Sequence, residues 1–486
     1  MEAQQRPRLV VIGAGITGLA AAHRAWEKSG DSVDVRVLEA SPRAGGVIAT
    51  EKQGELLLEG GPDSFVTDKP GAINLCRRIG LEDEIHPTQE QFRKTLIVSR
   101  GRLHSMPDAF QLMAPAKLGP FLRSPVLSWK GRLTALKDLV LPRGGPAEGG
   151  DESLASFVRR RLGDEVLDRI AQPMIGGIYT ADPETLSLAS TMPRFIDMER
   201  DHRSVVLALA ARMRQAPNEA ASGPRYGIFV SLRGGIGALV ERLVERLPPG
   251  ALRTNAPVAR MTRDEAGPRP WKVHLENGDA EEADAVIVSA PAQRASTLLS
   301  DFDGALGAGL GEIAYSSAAI VSLAYRRADV PFAPKAFGFV VPFVEGRKII
   351  AGSFSSIKYA GRAPEDQLLV RIFVGGALQP EVLENDDTAL AALVREELRD
   401  LLGIRSEPSL TRIHRWPSSM PQYYVGHAGR VRQLEQQAAA HPGLALAGNA
   451  YHGVGLADCI RDGEEASARM LGYLQTSGRS EGPVTT

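Results

Sequence analysis

Apolar positions at the two ends of the chain follow one plan and those in the middle another. Residues 9–12 (Leu-Val-Val-Ile) form an unbroken, β-branched-rich run, as in a parallel strand covered on both faces. Helical spacing follows over 17–27 and a second buried strand over 33–38. Similar strands return at 285–290 and 444–447, the latter feeding a helix that runs to Leu471. Residues 48–59 predict a hairpin turned at Gln53-Gly54, 71–79 a helix, and 91–106 a strand pair turned at Arg100-Gly101. Helical periodicity over 153–174 breaks at Gly176-Gly177 and resumes over 194–213, and 215–227 reads as a loose segment. A strand at 229–232, a helix ending at Leu247 and a meander over 252–278 then lead back to the first plan. Apolar strands at 319–325, 338–341, 348–354 and 368–374, with a helix at 389–402 and a strand at 410–416, predict a second, antiparallel sheet.

The first strand runs into Gly13-Ala14-Gly15-Ile16-Thr17-Gly18. Gly13 permits the tight turn, Gly15 lets the backbone approach a pyrophosphate, and Gly18 lets the helix pack close to its strand. The helix then aims its free N–H groups and positive dipole end at that phosphate. Glu39 ends the second strand about twenty residues further on, where a carboxylate accepts the hydroxyl protons of an adenosine ribose; this argues against a 2′-phosphorylated cofactor. Next come Ala40, Arg43, Gly45, Gly46 and Val47. Arg43 is suited to a phosphate or to covering the ribose, and the two glycines let backbone N–H groups reach the cofactor. An acid followed by Arg-x-Gly-Gly resembles the FAD fingerprint of the flavin amine oxidase, phytoene desaturase and protoporphyrinogen oxidase superfamily.

Composition narrows the class without choosing it. A length of 486 residues suggests about three compact units, and a net charge of −1 with no basic tail gives no reason to invoke nucleic acid. Cys76 and Cys459 form no framework and read as small buried hydrophobes in a reducing compartment. The nine histidines show no ligand spacing, so no metal is expected, and His202 and His452 read as solvated or structural. The start of the chain lacks a secretory apolar region and no apolar run reaches the length of a membrane span. A cytoplasmic protein is expected. Residues 106–141 alternate apolar side chains with Lys117, Arg123, Lys130, Arg132 and Lys137 and carry no acid between Asp108 and Asp138. That pattern suits either a helical cap on a cavity or peripheral contact with the inner face of a membrane, with Trp129 at its boundary.

A second anchor lies near the end. The strand at 444–447 feeds Gly448-Asn449-Ala450-Tyr451-His452-Gly453-Val454-Gly455-Leu456-Ala457-Asp458-Cys459-Ile460 and a helix, offering N–H groups to an anion. With Glu39, Arg43-Ala44-Gly45-Gly46, Gly61-Pro62-Asp63-Ser64, Trp416-Pro417 and Met420-Pro421-Gln422-Tyr423, residues 9–471 resemble the oxygen-dependent protoporphyrinogen oxidase family, including its bacterial branch acting on coproporphyrinogen III.

The resemblance implies an α/β fold with a Rossmann-type FAD-binding domain built from discontinuous segments (1–90, 224–292, 428–475). It further implies an antiparallel-sheet substrate domain (91–105, 293–427), a helical, membrane-facing insertion (106–223) and a disordered tail (476–486). Gly61, Pro62, Asp63, Ser64, Val258, Trp416, Val454, Gly455 and Leu456 carry over as cofactor contacts, beside the glycine turn, Glu39, Ala40, Arg43, Gly46 and Val47. Gly177 carries over to the cavity wall, and Val340 and Phe373 to the two apolar places that sandwich a tetrapyrrole. Thr95 stands where many relatives have an arginine for a propionate, with only Arg93 and Lys94 basic beside it. Thr180-Ala181 replaces the usual Ala-Gly.

The implied activity is oxidation of a porphyrinogen to the porphyrin in haem biosynthesis. Three hydride transfers to FAD take place, each followed by reoxidation with O₂ to H₂O₂, and no catalytic side chain is named. An amine oxidase or a carotenoid desaturase on the same scaffold, and a non-catalytic FAD-stabilised adaptor, are the alternatives. The partners are then a tetrapyrrole and O₂, and monomer and homodimer both stay open.

Overall fold

The computed structural model of the chain describes residues 6–106, 110–111, 114–115, 118–145, 150–215, 229–264, 267 and 269–477. Its first layer is a five-stranded parallel sheet in the order Leu252–Arg253, Asp34–Leu38, Arg8–Ile12, Ala285–Val288, Leu444–Leu446. Leu9, Val10 and Val11 in the middle strand are completely buried, as a strand covered on both faces requires. Helix Ile16–Ser29 and helix Leu456–Ser477 pack side by side on it and share one core through Leu19, Ala20, Ile460 and Ala466. At their closest point a Cβ on Gly463 would stand 2.2 Å from the Thr17 carbonyl oxygen, so head and tail of the chain touch through a glycine. The last helix continues through Thr476 and Ser477, two residues into the predicted tail, where Thr476 Oγ1 donates to the Tyr473 carbonyl at 2.9 Å. Residues 478–486 lie outside the described residues.

Residues 229–232 share the core of the first layer through Val230 and Leu232 but do not join its sheet. Strand Phe229–Leu232 instead pairs antiparallel with Phe65–Val66 and Ile85–Pro87. Arg362 fixes it there, donating to Ser231 Oγ at 2.6 Å and to the Leu232 carbonyl at 2.9 Å.

The second layer is a seven-stranded sheet in the order Leu410–Pro421, Tyr315–Arg326, Gln367–Gly375, Ala351–Phe354, Gly338–Val340, Thr95–Ser99, Arg102–Ser105. It is antiparallel except where Gly338–Val340 runs parallel to Thr95–Ser99. The strand read as 410–416 continues to Pro421, because residues 417–419 bulge out opposite the single Ser317 and pairing then resumes at Met420. Helix Asp387–Leu402, capped by Asp386, closes one face with Leu390, Val394, Leu398 and Leu402. From the other face Arg371 reaches loop 60–64, and Ile97 and Val340 pack against the helical region.

The helical region packs around Phe157, Ile170, Phe195 and Leu209. Gly176 and Gly177 do not break their helix: Gln172–Tyr179 runs through both and stops at left-handed Thr180, φ +48°. A Cβ at Gly176 would press on the Gln172 side chain at 3.3 Å, so that glycine serves packing. The break falls earlier, at Gly163, φ +88°. The stretch read as one helix over 194–213 is divided at Arg203, φ +66°, whose carbonyl accepts from buried Arg161 at 2.7 Å. Within 106–141 the structure holds helices Leu118–Leu122 and Trp129–Leu136 and the short strands Phe110–Gln111 and Ala114–Pro115. Asp108, Lys117 and residues 216–228 of the loose segment lie outside the described residues.

Candidate functional site

Gly13, φ +100°, turns the chain out of its strand, and a Cβ on Gly18 would stand 2.0 Å from the Gly13 carbonyl oxygen. A Cβ on Gly15, by contrast, would meet nothing within 4 Å, so the backbone there borders open space. Helix Ile16–Ser29 starts without a side-chain cap at Gly15, which leaves its first N–H groups facing that space. Gly45 and Gly46, φ +109° and +57°, carry the second glycine turn against the first. The Gly45 N–H donates to the Ala14 carbonyl at 2.8 Å, and Gly15 and Gly45 form a bridge. The two motifs therefore make one concave backbone surface.

Glu39 is buried at its edge. One carboxylate oxygen accepts from the Ala14 N–H at 2.7 Å and the other from the Ser41 N–H at 2.8 Å. The Ser41 hydroxyl also donates to that second oxygen, so it is the oxygen facing Ala14 that keeps a lone pair for a ribose hydroxyl. Arg43 is exposed, and its guanidinium braces the turn by donating to the carbonyls of Gly46 at 2.7 Å and Ile48 at 2.8 Å. Ala40 is exposed beside Glu39, and the Ala256 N–H donates to the Glu39 carbonyl at 2.8 Å, bringing buried Val258 alongside. The Val258 carbonyl is taken by Arg294 at 2.8 Å.

Loop 60–64 lies beside this surface. A Cβ on Gly61 would fall 1.8 Å from the Val47 carbonyl oxygen, so the loop and the second glycine turn are in direct contact. Trp416 Nε1 donates to the Gly60 carbonyl at 2.6 Å, and its ring stacks on His414 with 6.5 Å between centroids. Asp63 sits between Lys358 Nζ, at 2.9 and 3.1 Å, and Arg371 Nη1 at 3.0 Å, while Ser64 Oγ donates to it at 2.7 Å. Burial alone would raise the Asp63 pKa, but the two cations hold it well below the usual carboxylate range. Arg371 also donates to the Gly61 carbonyl. Pro62 completes the loop. Sequence reading passed over both cations. A lone charge in the apolar strand Leu368-Leu369-Val370-Arg371-Ile372-Phe373-Val374 was the available signal for Arg371; Lys358 carries none.

The second anchor is clamped from behind. Tyr423 Oη accepts the Gly453 N–H at 2.9 Å and donates to the Asn449 carbonyl, spanning the turn that leads through Val454 and Gly455 to Leu456. His427 stacks on the Tyr423 ring, centroids 4.0 Å apart, and burial pushes its pKa down to about 4. Asp458 in the first turn of the last helix pairs with Lys69 Nζ at 2.6 Å. His452 is at the surface against Glu435, 2.8 Å away. Burial raises the thiol pKa of Cys76 to about 11 and of Cys459 to about 12, so both stay protonated in the core.

Sheet register gathers the other expected residues. Ile97, Val340, Ala351, Phe373 and Ile320 form one cross-strand row, and Thr95, Gly338, Ser353 and Arg371 the row two residues along. Thr95, Val340 and Phe373 therefore share the face from which Arg371 reaches loop 60–64. Val340 and Phe373 stand two strands apart, about 10 Å, with the small Ala351 between them: a slot with apolar walls. Gly177 lies on the last turn of its helix, where a Cβ would meet nothing within 4 Å. Its neighbour Gly176 approaches Ile350, whose N–H donates to the Phe373 carbonyl at 2.8 Å.

Joined glycine turns, a ribose-height carboxylate and an uncapped helix end define a dinucleotide-binding flavoprotein, and the open side of Gly15 fits the pyrophosphate of FAD. The chain belongs to the flavin containing amine oxidoreductase family, which matches residues 16–471. It is 37% identical over 492 residues to a coproporphyrinogen III oxidase of Propionibacterium freudenreichii subsp. freudenreichii, covering 95% of this chain and 90% of that protein. Identity to the coproporphyrinogen III oxidase of Bacillus subtilis (strain 168) is 33%, over 96% of this chain and 99% of that one. A crystal structure from Exiguobacterium sp. 255-15, of a protein provisionally assigned as a protoporphyrinogen oxidase, superposes with a TM-score of 0.85 at 28% identity, covering 97% and 99% of the two chains.

Proposed function

We propose that this chain is an FAD-dependent oxidase that converts a porphyrinogen to the porphyrin in haem biosynthesis. The observation that carries the proposal is the apolar slot between Val340 and Phe373, on the sheet face that reaches the flavin-side loop through Arg371 and Asp63. Kinship with coproporphyrinogen III oxidases over nearly the whole chain favours coproporphyrinogen III over protoporphyrinogen IX as substrate.

Bound FAD supplies a hydride acceptor that O₂ reoxidises with release of H₂O₂. The chain's own work is positioning. Gly13, Ala14, Gly15, Ile16, Thr17 and Gly18 hold the pyrophosphate, and Glu39, Ala40 and Val258 the adenosine end, while Arg43, Gly46 and Val47 shape the turn between them. Gly61, Pro62, Asp63, Ser64, Trp416, Val454, Gly455 and Leu456 bound the isoalloxazine. N–H groups at the start of the last helix would favour negative charge on a flavin bound there. Val340, Phe373, Gly177 and Thr95 orient the macrocycle and keep water from it. Val340 and Phe373 are apolar, and the guanidinium over the Phe373 ring, that of Arg371, is held by Asp63, which suits a reaction driven by position and not by proton abstraction.

Parallel aerobic assays on coproporphyrinogen III and protoporphyrinogen IX test this. Porphyrin fluorescence growing with about one H₂O₂ for each hydride removed supports it; porphyrin formation no faster than without protein refutes it.

Peripheral lipid contact is part of the same reading. Among the described residues no helix is long and apolar enough to cross a membrane. Yet Trp129, Leu133 and Val140 are 63%, 54% and 72% exposed, and Trp129 and Leu133 lie one helical turn apart beside Lys130. Exposed apolar side chains ringed by cations suit an anionic bilayer surface.

A further inference from the structure

A buried phenol joins the helical region to the second anchor. Tyr423 is 1% exposed and stands just past the end of strand Leu410–Pro421. Its main chain is pinned from two directions. The Tyr423 carbonyl accepts the Ser187 N–H at 2.7 Å, while Gln422 beside it donates to the Ala314 carbonyl at 2.8 Å and, through its side chain, to Ser316 Oγ at 3.0 Å. The ring stacks on His427 and lies 6.4 Å from the ring of Tyr179, which ends the helix that carries Gly177. Tyr423 shares one core with Tyr179, Val454 and the slot wall Val340.

The hydroxyl does something that packing does not require. Between Gly448 and Val454 one main-chain to main-chain bond is present among the described residues, from the Tyr451 N–H to the Gly448 carbonyl at 3.3 Å. The turn is held instead by Tyr423 Oη, which accepts the Gly453 N–H at 2.9 Å and donates to the Asn449 carbonyl. Burial pushes the phenol pKa up, so the hydroxyl keeps the proton that it donates. This turn leads directly into the last helix. Leu456, its first residue, is seven residues before Gly463, about 10 Å of helix, and Gly463 touches Thr17 in the first turn of helix Ile16–Ser29. The last helix thus starts close to the phosphate turn, and a small tilt of the 449–453 turn re-aims the N–H groups that follow it.

We infer that Tyr423 is a positioning residue for the flavin: its hydroxyl fixes the 449–453 turn so that the N–H groups after it stay aimed at the isoalloxazine and favour its reduced, negatively charged form. The inference rests on the FAD-dependent reading above and deepens it, giving one side chain of the helical-region core control over the reduction potential. Tyr423 carries neither electron nor proton in the reaction; it acts through the backbone that it holds.

The test compares flavin-loaded wild type with Y423F and H427F. The readouts are the two-electron midpoint potential of the bound flavin, measured against a reference dye without tetrapyrrole, the Kd for oxidised FAD, and kcat and KM with coproporphyrinogen III. Y423F is expected to lose about tenfold in its preference for reduced over oxidised flavin, the worth of one hydrogen bond to charge, which lowers the midpoint potential by about 30 mV. Its kcat falls while KM stays at the wild-type value. H427F keeps the hydroxyl and a ring beside it, and keeps the wild-type potential. Replacing Tyr423 by 4-aminophenylalanine preserves a donor for the Asn449 carbonyl but gives the Gly453 N–H a poorer acceptor, so its potential is expected to fall between those of wild type and Y423F. If Y423F does not fold, this isosteric replacement decides, and a wild-type potential in it overturns the inference. Equal potentials in wild type and Y423F, or an equal drop in H427F, also overturn it, and because no tetrapyrrole is present they leave the porphyrinogen reading intact. A wild type that takes up no flavin overturns both.

Discussion

Arg371 Nη1 lies 3.0 Å from Asp63 Oδ2, an ion pair that joins the central part of the large sheet to the glycine loop beside the flavin site. The Arg371 side chain is only 2% exposed and Lys358 completes the cluster, so removing the carboxylate strands two cations. Asp63→Asn is expected to destabilise the protein by about 3–5 kcal/mol, the cost of breaking a buried pair. Thermal unfolding and flavin release on gel filtration measure it. Because the folded pKa of Asp63 is depressed, its contribution is complete above about pH 4, the unfolded value, and disappears as pH falls through the lower folded value. The variant lacks that acid-limb loss.

His427 gives a second pH signature at milder acidity. Its pKa falls from 6.5 to about 4 on burial, so between those values the unfolded chain holds a proton that the folded chain does not. Stability is therefore full above about pH 6.5 and falls as pH drops towards 4, by about 3 kcal/mol over the window. His427→Phe keeps a ring against Tyr423 and removes the titration. Urea unfolding at pH 5 and pH 7 should differ by about 2 kcal/mol less in the variant than in the wild type.

Gly463 tests the contact between the ends of the chain. Its added methyl would meet the Thr17 carbonyl oxygen at 2.2 Å, and backbone on that side cannot move without displacing the phosphate turn. Gly463→Ala is expected to cost roughly 1–3 kcal/mol or more and to lower flavin affinity, because the two helices that it wedges apart carry both anchors. Flavin content after dialysis is the readout.

The lipid proposal is tested on Trp129 and Leu133. Cosedimentation with anionic vesicles and a blue shift of tryptophan emission are expected for the wild type, both weakened in W129S/L133S. Equal recovery of wild type and double variant in the supernatant at low salt contradicts lipid contact.

Much of the fold was legible because its signals are local. The run at 9–12, the Gly13–Gly18 spacing and the hairpin at Gln53-Gly54 depend on nearest neighbours, and each is found where the pattern put it. What the sequence hid depends on partners far along the chain. Strand Phe229–Leu232 looks like any buried strand until Arg362 selects its sheet. Gly176 resembles a helix breaker until the Gln172 side chain, packed one turn back in the same helix, explains its missing side chain. Arg43, legible as part of a fingerprint, turns out to hold carbonyls of its own loop. The cations Lys358 and Arg371 are far from Asp63 in sequence, and only folding reveals that both lie beside it.

The central claim is that the Val340–Phe373 slot presents a reduced tetrapyrrole to a flavin held by both ends of the chain. Anaerobic addition of coproporphyrinogen III to the flavin-loaded protein, followed by absorbance spectroscopy, addresses it directly. Bleaching of the oxidised-flavin bands together with the appearance of porphyrin absorbance is the result this account predicts. A flavin spectrum that stays oxidised in the presence of excess porphyrinogen would contradict it.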